Sequence, residues 1–114
     1  MAAMRYEDVV SMAAGCGFPV AYDHFAEGES PKPPFLIFRF PNTVPFGADN
    51  IVYAEPYKLD FELYVDDAKD PVHEAAVENV LREHGMFYKK NEAWLGSEGL
   101  YLILYEMGVL IDAE

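Results

Sequence analysis

One run of alternating side chains constrains the fold more than any other part of the chain. The run YKLDFELYV, residues 57–65, alternates apolar residues with Lys58, Asp60, Glu62 and Tyr64. Successive side chains of a β-strand point to opposite faces, so this pattern predicts a strand with one buried and one solvated side. The chain is therefore expected to build a sheet around this segment.

Two helices are expected on either side of that strand in the sequence. Asp70 is a typical N-cap residue, and Pro71 suits the first helical position. This helix should end near His84, with Gly85 as its C-terminal cap. An earlier helix is predicted over Met4–Ala14, where apolar residues recur at three- and four-residue steps.

Further strands are predicted before and after the second helix. They are Phe18–Tyr22, Phe35–Phe40, a run resuming at Ile51, Met86–Leu95 and Leu100–Ile111. The last is nearly all apolar and is expected to be a central strand covered on both faces. Because helices and strands do not alternate regularly, we expect an α+β fold: a mainly antiparallel sheet of about four to five strands with two helices packed on one face. Residues 1–114 would form a single domain.

The charge of the chain limits its partners. Its 114 residues include 20 acids and 8 bases, which gives a formal net charge of −12. Such a chain should repel phosphate backbones and anionic lipids, so we expect neither direct nucleic-acid binding nor a membrane partner. The one cysteine, Cys16, cannot form an internal disulfide and is interpreted as a buried structural thiol. With no recognisable signal peptide, a soluble intracellular protein is expected.

Asp60 and Glu62 are the best candidates for catalysis. Two residues apart on one strand face, their Cα atoms would be roughly 6.6 Å apart, a spacing compatible with a glycosidase carboxylate pair. Alternating acids on a polar strand face need no such explanation, so we interpret them as solvated. No metal or cofactor site is expected, because the remaining acids lack calcium-loop spacing and the three histidines are scattered. The chain is thus expected not to be an enzyme, with a small hydrolase using these two acids as a rival reading.

Aromatic residues make up 15% of the chain, more than a small one-sided core obviously needs. Some would belong to the core, and others would form a subunit interface, where Tyr, Trp and Phe are enriched.

The order of several segments resembles a known family. The segments are PPFLIF, FGADNIVY, FELYVDDAKDP, VENVLREHG, FYKKNEAW and SEGLYLILYEM. Together they make residues 34–112 similar to small tail proteins of Gram-positive prophages, related to the tail terminator (tail-completion) proteins of long-tailed phages.

The resemblance implies a structural role in the virion tail, after assembly in the host cytoplasm. Such proteins form a ring of identical copies, typically a hexamer, that stops the tail tube and joins it to the head connector. The expected interface residues are Phe46, Asp49, Asn50, Tyr53, Trp94 and Tyr101, with contacts from the loop Pro41–Asn50 and the apolar edge of the sheet. Asp60 and Glu62 would line or flank the channel and keep passing DNA from sticking. The alternative is an acidic binding module that mimics DNA and inhibits a nucleic-acid-binding protein.

Overall fold

The computed structural model describes residues 3–41 and 55–111, which form two helices and one six-stranded sheet. In chain order the elements are β1 (Ala3–Met4), α1 (Tyr6–Ala14), β2 (Val20–Tyr22), β3 (Phe35–Arg39), β4 (Glu55–Asp66), α2 (Pro71–Glu83), β5 (Tyr88–Leu95) and β6 (Leu100–Ile111). The predicted α+β class is confirmed.

The sheet is mostly antiparallel, as expected. Strands β2, β3, β4 and β6 lie side by side in that order. The other edge of β6 pairs with β5 over residues 100–107 and with β1 over residues 110–111. The β3–β4, β4–β6 and β5–β6 pairs are antiparallel, whereas β1–β6 and β2–β3 are parallel. The sequence did not predict β1, because a two-residue strand has no period to recognise.

The alternating run of β4 pairs along its whole length with β6. Tyr57, Leu59 and Phe61 lie opposite Val109, Met107 and Tyr105, and all six side chains are buried. A slip of one residue would turn the charged side chains of β4 into the core, so burial specifies the register strongly.

Both helices pack on the same face of the sheet. Val9, Met12 and Ala13 of α1 join Val77 and Leu81 of α2 in one core cluster with the buried sheet residues. Apolar recurrence alone does not identify the buried side of α1. Tyr6 and Val10 are exposed, whereas Val9, Met12 and Ala13 are buried against the sheet.

Helix α2 begins as predicted. The Asp70 carboxylate accepts a hydrogen bond from the Val72 backbone N–H at 3.0 Å, and Pro71 is the first helical residue. Gly85, directly after the C-cap His84, has φ 67°, a left-handed conformation that favours glycine.

The prediction that β6 is covered on both faces was wrong for the described part of the chain. Ile103, Tyr105, Met107 and Val109 are buried under the helices, but Leu102 and Leu104 between them are only partly buried. Both described helices lie on the other side. We call the sheet face opposite α1 and α2 the outer face.

Candidate functional site

The outer face carries the residues that the sequence placed on the solvated side of β4, together with their neighbours. Directly paired residues of adjacent strands project from the same face, so the register identifies its members. They are Phe35, Ile37 and Arg39 of β3, Lys58, Asp60, Glu62, Tyr64 and Asp66 of β4, Lys89, Asn91, Ala93 and Leu95 of β5, and Leu100, Leu102, Leu104, Glu106, Gly108 and Leu110 of β6.

One part of the outer face is charged with both signs. Arg39, Asp60, Glu106 and Lys89 follow one another across four strands in a single row. The Nζ atom of Lys58 lies 2.8 Å from Oε1 of Glu106, and this contact holds the pKa of Glu106 below its ordinary value. The acids here are therefore matched by bases and do not form a negative wall.

Asp60 departs from the predicted solvated side. Its side chain is buried, with 7% of the residue exposed, and its Oδ1 atom has no hydrogen-bond partner among the described residues. Burial raises the pKa of Asp60. Lys58 and Arg39 lower it and Glu106 raises it further, so the pKa stays above its ordinary value. The packed sheet surface thus disfavours the charged form of this carboxyl group.

Glu62 has a different environment from Asp60. Its Oε1 atom accepts a hydrogen bond from the Tyr64 hydroxyl at 2.8 Å, and its Oε2 atom lies 3.7 Å from Arg39. Burial and this hydrogen bond raise the pKa of Tyr64. Two surface depressions, of about 570 and 330 Å³, are lined by neither Asp60 nor Glu62. The two acids are therefore on one face, as predicted, and neither of them borders these two depressions.

Replacing Asp60 with asparagine is expected to raise the free energy of unfolding by on the order of 1 kcal/mol at neutral pH. The pKa of Asp60 is higher in the folded protein than the ordinary value of 3.8, so the carboxyl group ionises at lower pH in the unfolded chain. The free energy of unfolding therefore falls as pH rises from about 3.8 through the folded-state pKa. Urea denaturation of dilute protein at several pH values measures the effect.

The gain from Asp60→Asn should vanish below about pH 3.8, where the carboxyl group is neutral in both states. Glu62→Gln is the matched control and should not stabilise, because Glu62 is held by Tyr64 and Arg39. A loss of stability on Asp60→Asn at neutral pH would contradict this account.

A second part of the outer face is mainly apolar. The rings of Phe35 and Tyr64 stack with centroids 4.9 Å apart, and Phe25 contacts Phe35 edge-on at 5.4 Å. Leu102 and Leu104 continue this surface towards β5 and are partly exposed. Phe35 and Ile37 are buried but do not belong to the core cluster under the helices, so this side has its own apolar packing.

Of the predicted interface residues, the structure describes two. Trp94 and Tyr101 pair directly across β5 and β6 with ring centroids 4.7 Å apart, and 50% of Trp94 is exposed. They lie on the helix side of the sheet, opposite to Asp60 and Glu62. The other four, Phe46, Asp49, Asn50 and Tyr53, lie outside the described residues.

Phe87 is an exposed aromatic residue that we did not predict as an interface residue. It directly precedes β5, is 86% exposed and borders both surface depressions. The larger depression also contains Met4, Met86 and Asp8. An aromatic ring this exposed gains little from folding, and exposed apolar groups of this kind are typical of contact surfaces.

A charged cluster joins α2 to β5 on the helix side. The Nζ atom of Lys90 lies 2.6 Å from Oε1 of Glu74 and 2.8 Å from Oε2 of Glu78. The hydroxyl group of Tyr105, which is fully buried, donates to the same Glu78 oxygen at 2.8 Å. This cluster was not predicted from the sequence. Glu74 and Glu78, four apart on one helix face, repel each other, and that spacing was a signal that a cation lies nearby.

The pKa values in this cluster follow from its contacts. Burial alone would raise the pKa of Glu78, but hydrogen bonds from Lys90 and Tyr105 hold it below its ordinary value. Burial alone would lower the pKa of Lys90, but its bonds to Glu74 and Glu78 raise it. Burial, then the bond to Glu78, raises the pKa of Tyr105. Each group is held in its ordinary charge state, which suits a structural clamp better than proton transfer.

The described residues offer little else for chemistry. They contain no group of three or more His, Cys, Asp or Glu side chains arranged to hold a metal ion. Cys16 is buried, as predicted, and burial raises its pKa to about 11. Neither described helix is long and apolar enough to cross a membrane.

Comparison with protein-family models, curated proteins and solved structures finds no match for this chain.

Proposed function

We propose that this chain is a structural tail-completion protein, which assembles with copies of itself into a ring at the head-proximal end of a phage tail tube and joins the tube to the head connector. The resemblance in the order of its segments suggests the role. The observation that carries the proposal is the exposed aromatic surface at β5, where 86% of Phe87 and 50% of Trp94 are exposed. Unmatched apolar surfaces of this kind are typical of proteins that work through contacts.

The placement of polar groups also favours an assembly role over an enzyme. Glu62, Glu78 and Glu106 are each engaged by bonds from within the chain. Asp60 has a raised pKa, but it lines neither of the two surface depressions. That Asp60 and Glu62 face a ring channel stays a prediction, and the bases beside them weaken its premise of a negative wall.

Purified chain is expected to form ring-shaped particles, whose fraction rises with ionic strength. Copies with a charge of −12 repel each other, and raising the salt from about 0.1 M to about 1 M shortens the screening length from roughly 10 Å to roughly 3 Å. Light scattering after size exclusion gives the mass, and negative-stain imaging shows the shape. Rings that dissolve at high salt would show that opposite charges hold the interface.

Particle mass also separates this proposal from the acidic-module alternative. A DNA mimic should remain a monomer or dimer and bind a basic DNA-binding protein in a salt-sensitive way. A tail-completion protein should instead stop growing tubes of its cognate tube protein at a defined length. A monomer at every concentration and salt, with no effect on tube growth, would rule out the proposed function.

A further inference from the structure

We propose that β5 pairs, edge to edge and antiparallel, with the β5 strand of a second copy about a two-fold axis at Asn91. Over Tyr88–Leu95, β5 pairs with β6 along one edge, and its other edge has no strand partner within the described ranges. The residues from Lys89 to Trp94 are all exposed. The N–H and C=O groups on this edge can therefore take up a further strand. The opposite edge of the sheet offers much less, because β2 has three residues and β5 has eight.

The sequence of β5 is complementary to itself in one register. Directly opposite residues of paired strands project from the same face, so a two-fold axis has to pass beside a residue and not between two. With the axis at Asn91, Lys90 of each copy lies directly opposite Glu92 of the other. One residue earlier or later, the axis puts Lys90 opposite Lys90 or Glu92 opposite Glu92, and like charges in these positions destabilise a sheet. The charges of β5 therefore exclude the neighbouring two-fold registers and favour this one.

The same register brings aromatic residues together at both ends of the paired segment. Tyr88 of each copy lies opposite Trp94 of the other, and both side chains project from the helix side of the sheet. Aromatic residues directly opposite each other are among the favourable cross-strand pairs. Since 50% of Trp94 is exposed in the single chain, the second copy would cover apolar surface there. Lys89 lies opposite Ala93, whose small side chain leaves room for the lysine.

Existing ion pairs leave the cross-strand contact possible. Lys90 binds Glu74 and Glu78, and Glu92 binds Lys69. An ammonium group has three donors and a carboxylate has two acceptor oxygens, so one contact more can be added on each side. Exposed ion pairs contribute little each, and the net charge of −12 opposes association. Backbone hydrogen bonds and the covering of Trp94 must therefore supply most of the stabilisation, while the charges specify the register.

This contact goes beyond the proposed function. A two-fold contact uses the same residues of both copies, whereas a ring closes through head-to-tail contacts between two different surfaces. The β5 contact and the ring can therefore form or fail independently of each other.

Disulfide cross-linking at a single introduced cysteine tests the proposal. Asn91→Cys places one thiol of each copy beside the axis, where directly opposite Cα atoms lie about 4.5–5.5 Å apart, a distance that a disulfide spans. Ala93→Cys, on the same face of β5, is the matched control, because the two thiols would be four residues apart along the strands, roughly 14 Å. Native Cys16 is buried and its pKa is about 11, so it does not compete.

Mild oxidation of the folded chain, followed by a non-reducing gel, measures the covalent dimer. Asn91→Cys should cross-link at least about tenfold faster than Ala93→Cys. Mixing Lys89→Cys chains with Ala93→Cys chains should restore cross-linking, because this register places these two positions directly opposite each other. Equal rates at positions 91 and 93, or no gain on mixing, would overturn the inference.

A pair of charge variants gives a second readout. Glu92→Lys puts two lysines opposite each other on both sides of the axis and should weaken dimerisation at least about tenfold, although it makes the chain less acidic. Glu98→Lys makes the same change of charge at an exposed position after β5 and should not weaken dimerisation. Light scattering after size exclusion measures association, and circular dichroism shows whether each variant folds.

The outcomes separate this inference from the proposed function. Rings that form without a cross-link at position 91 would overturn the inference and leave the ring standing. A dimer that cross-links at position 91 and never grows into larger particles would support the inference and count against the ring. An edge of β5 whose amide protons are protected from exchange even in dilute monomer would be paired by a segment of its own chain, and the inference would fall.

Discussion

Replacing Phe61 with alanine is expected to lower the free energy of unfolding by about 3–5 kcal/mol. Phe61 is fully buried on the helix side of β4, directly paired with Phe38 of β3 and Tyr105 of β6. Removing its ring leaves a cavity between three strands and the helices, which this continuous sheet cannot close by a small shift. A domain of this size is stable by about 5–15 kcal/mol, so the loss would be a large part of the total.

Urea denaturation at a concentration that keeps the chain monomeric measures this loss. Phe87→Ala is the matched control, because it removes the same ring from a position that is 86% exposed. It should change the stability of the monomer by no more than about 0.5 kcal/mol. Equal losses for the two variants would contradict the assignment of Phe61 to the core.

Replacing Lys90 with methionine is expected to lower the free energy of unfolding by about 1–2 kcal/mol at neutral pH. The change leaves the carboxylates of Glu74 and Glu78 facing each other without their shared cation. The hydrogen bond from Tyr105 to Glu78 remains, and partial exposure of Lys90 screens the ion pairs, so the loss should not be larger. Urea denaturation across a wide pH range is the measurement.

The cost of Lys90→Met should be largest between about pH 4.5 and 10.5. The pKa of Glu78 is lowered from 4.5 on folding, so its stabilisation is present above that value and is lost as pH falls through the folded-state pKa. The pKa of Lys90 is raised from 10.5, so its stabilisation is present below that value and is lost as pH rises through the folded-state pKa.

Lys32→Met, at an exposed position between β2 and β3, is the control for losing one positive charge. It should change stability by at most about 0.5 kcal/mol. A cost of Lys90→Met that does not depend on pH would mean that lost packing, and not the ion pairs, explains the effect.

Local sequence signals predicted an element correctly where the determining residues all lie within that element. Asp70 and Pro71 predicted the start of α2, and the Asp70 side chain caps the helix as expected. The run GSEG, residues 96–99, has the glycines typical of a turn, and it joins β5 to β6 with Gly99 at φ 65°. In each case the signal lies in a few consecutive residues, so no distant part of the chain is needed to interpret it.

Burial and contacts that depend on a neighbouring element were predicted less accurately from the sequence. The period of α1 is compatible with several orientations, and only packing against the sheet decides that Met12 is buried and Val10 is exposed. The apolar run of β6 indicated burial but not on how many sides. Lys90 looked like an ordinary surface residue, although the fold places it within 3 Å of two glutamates that are 12 and 16 residues away.

The sequence by itself determined the α+β class, the position of α2, and the five side chains of β4 that enter the core, because alternation and capping are properties of consecutive residues. Only the tertiary structure decided that both described helices cover the same face of the sheet. It also decided that Asp60 is buried beside Arg39, Lys58 and Glu106, and that Leu102 and Leu104 lie on the face opposite the helices. These outcomes depend on which strands become neighbours. The order β2–β3–β4–β6 brings together side chains whose separation along the chain gives no local sign of contact.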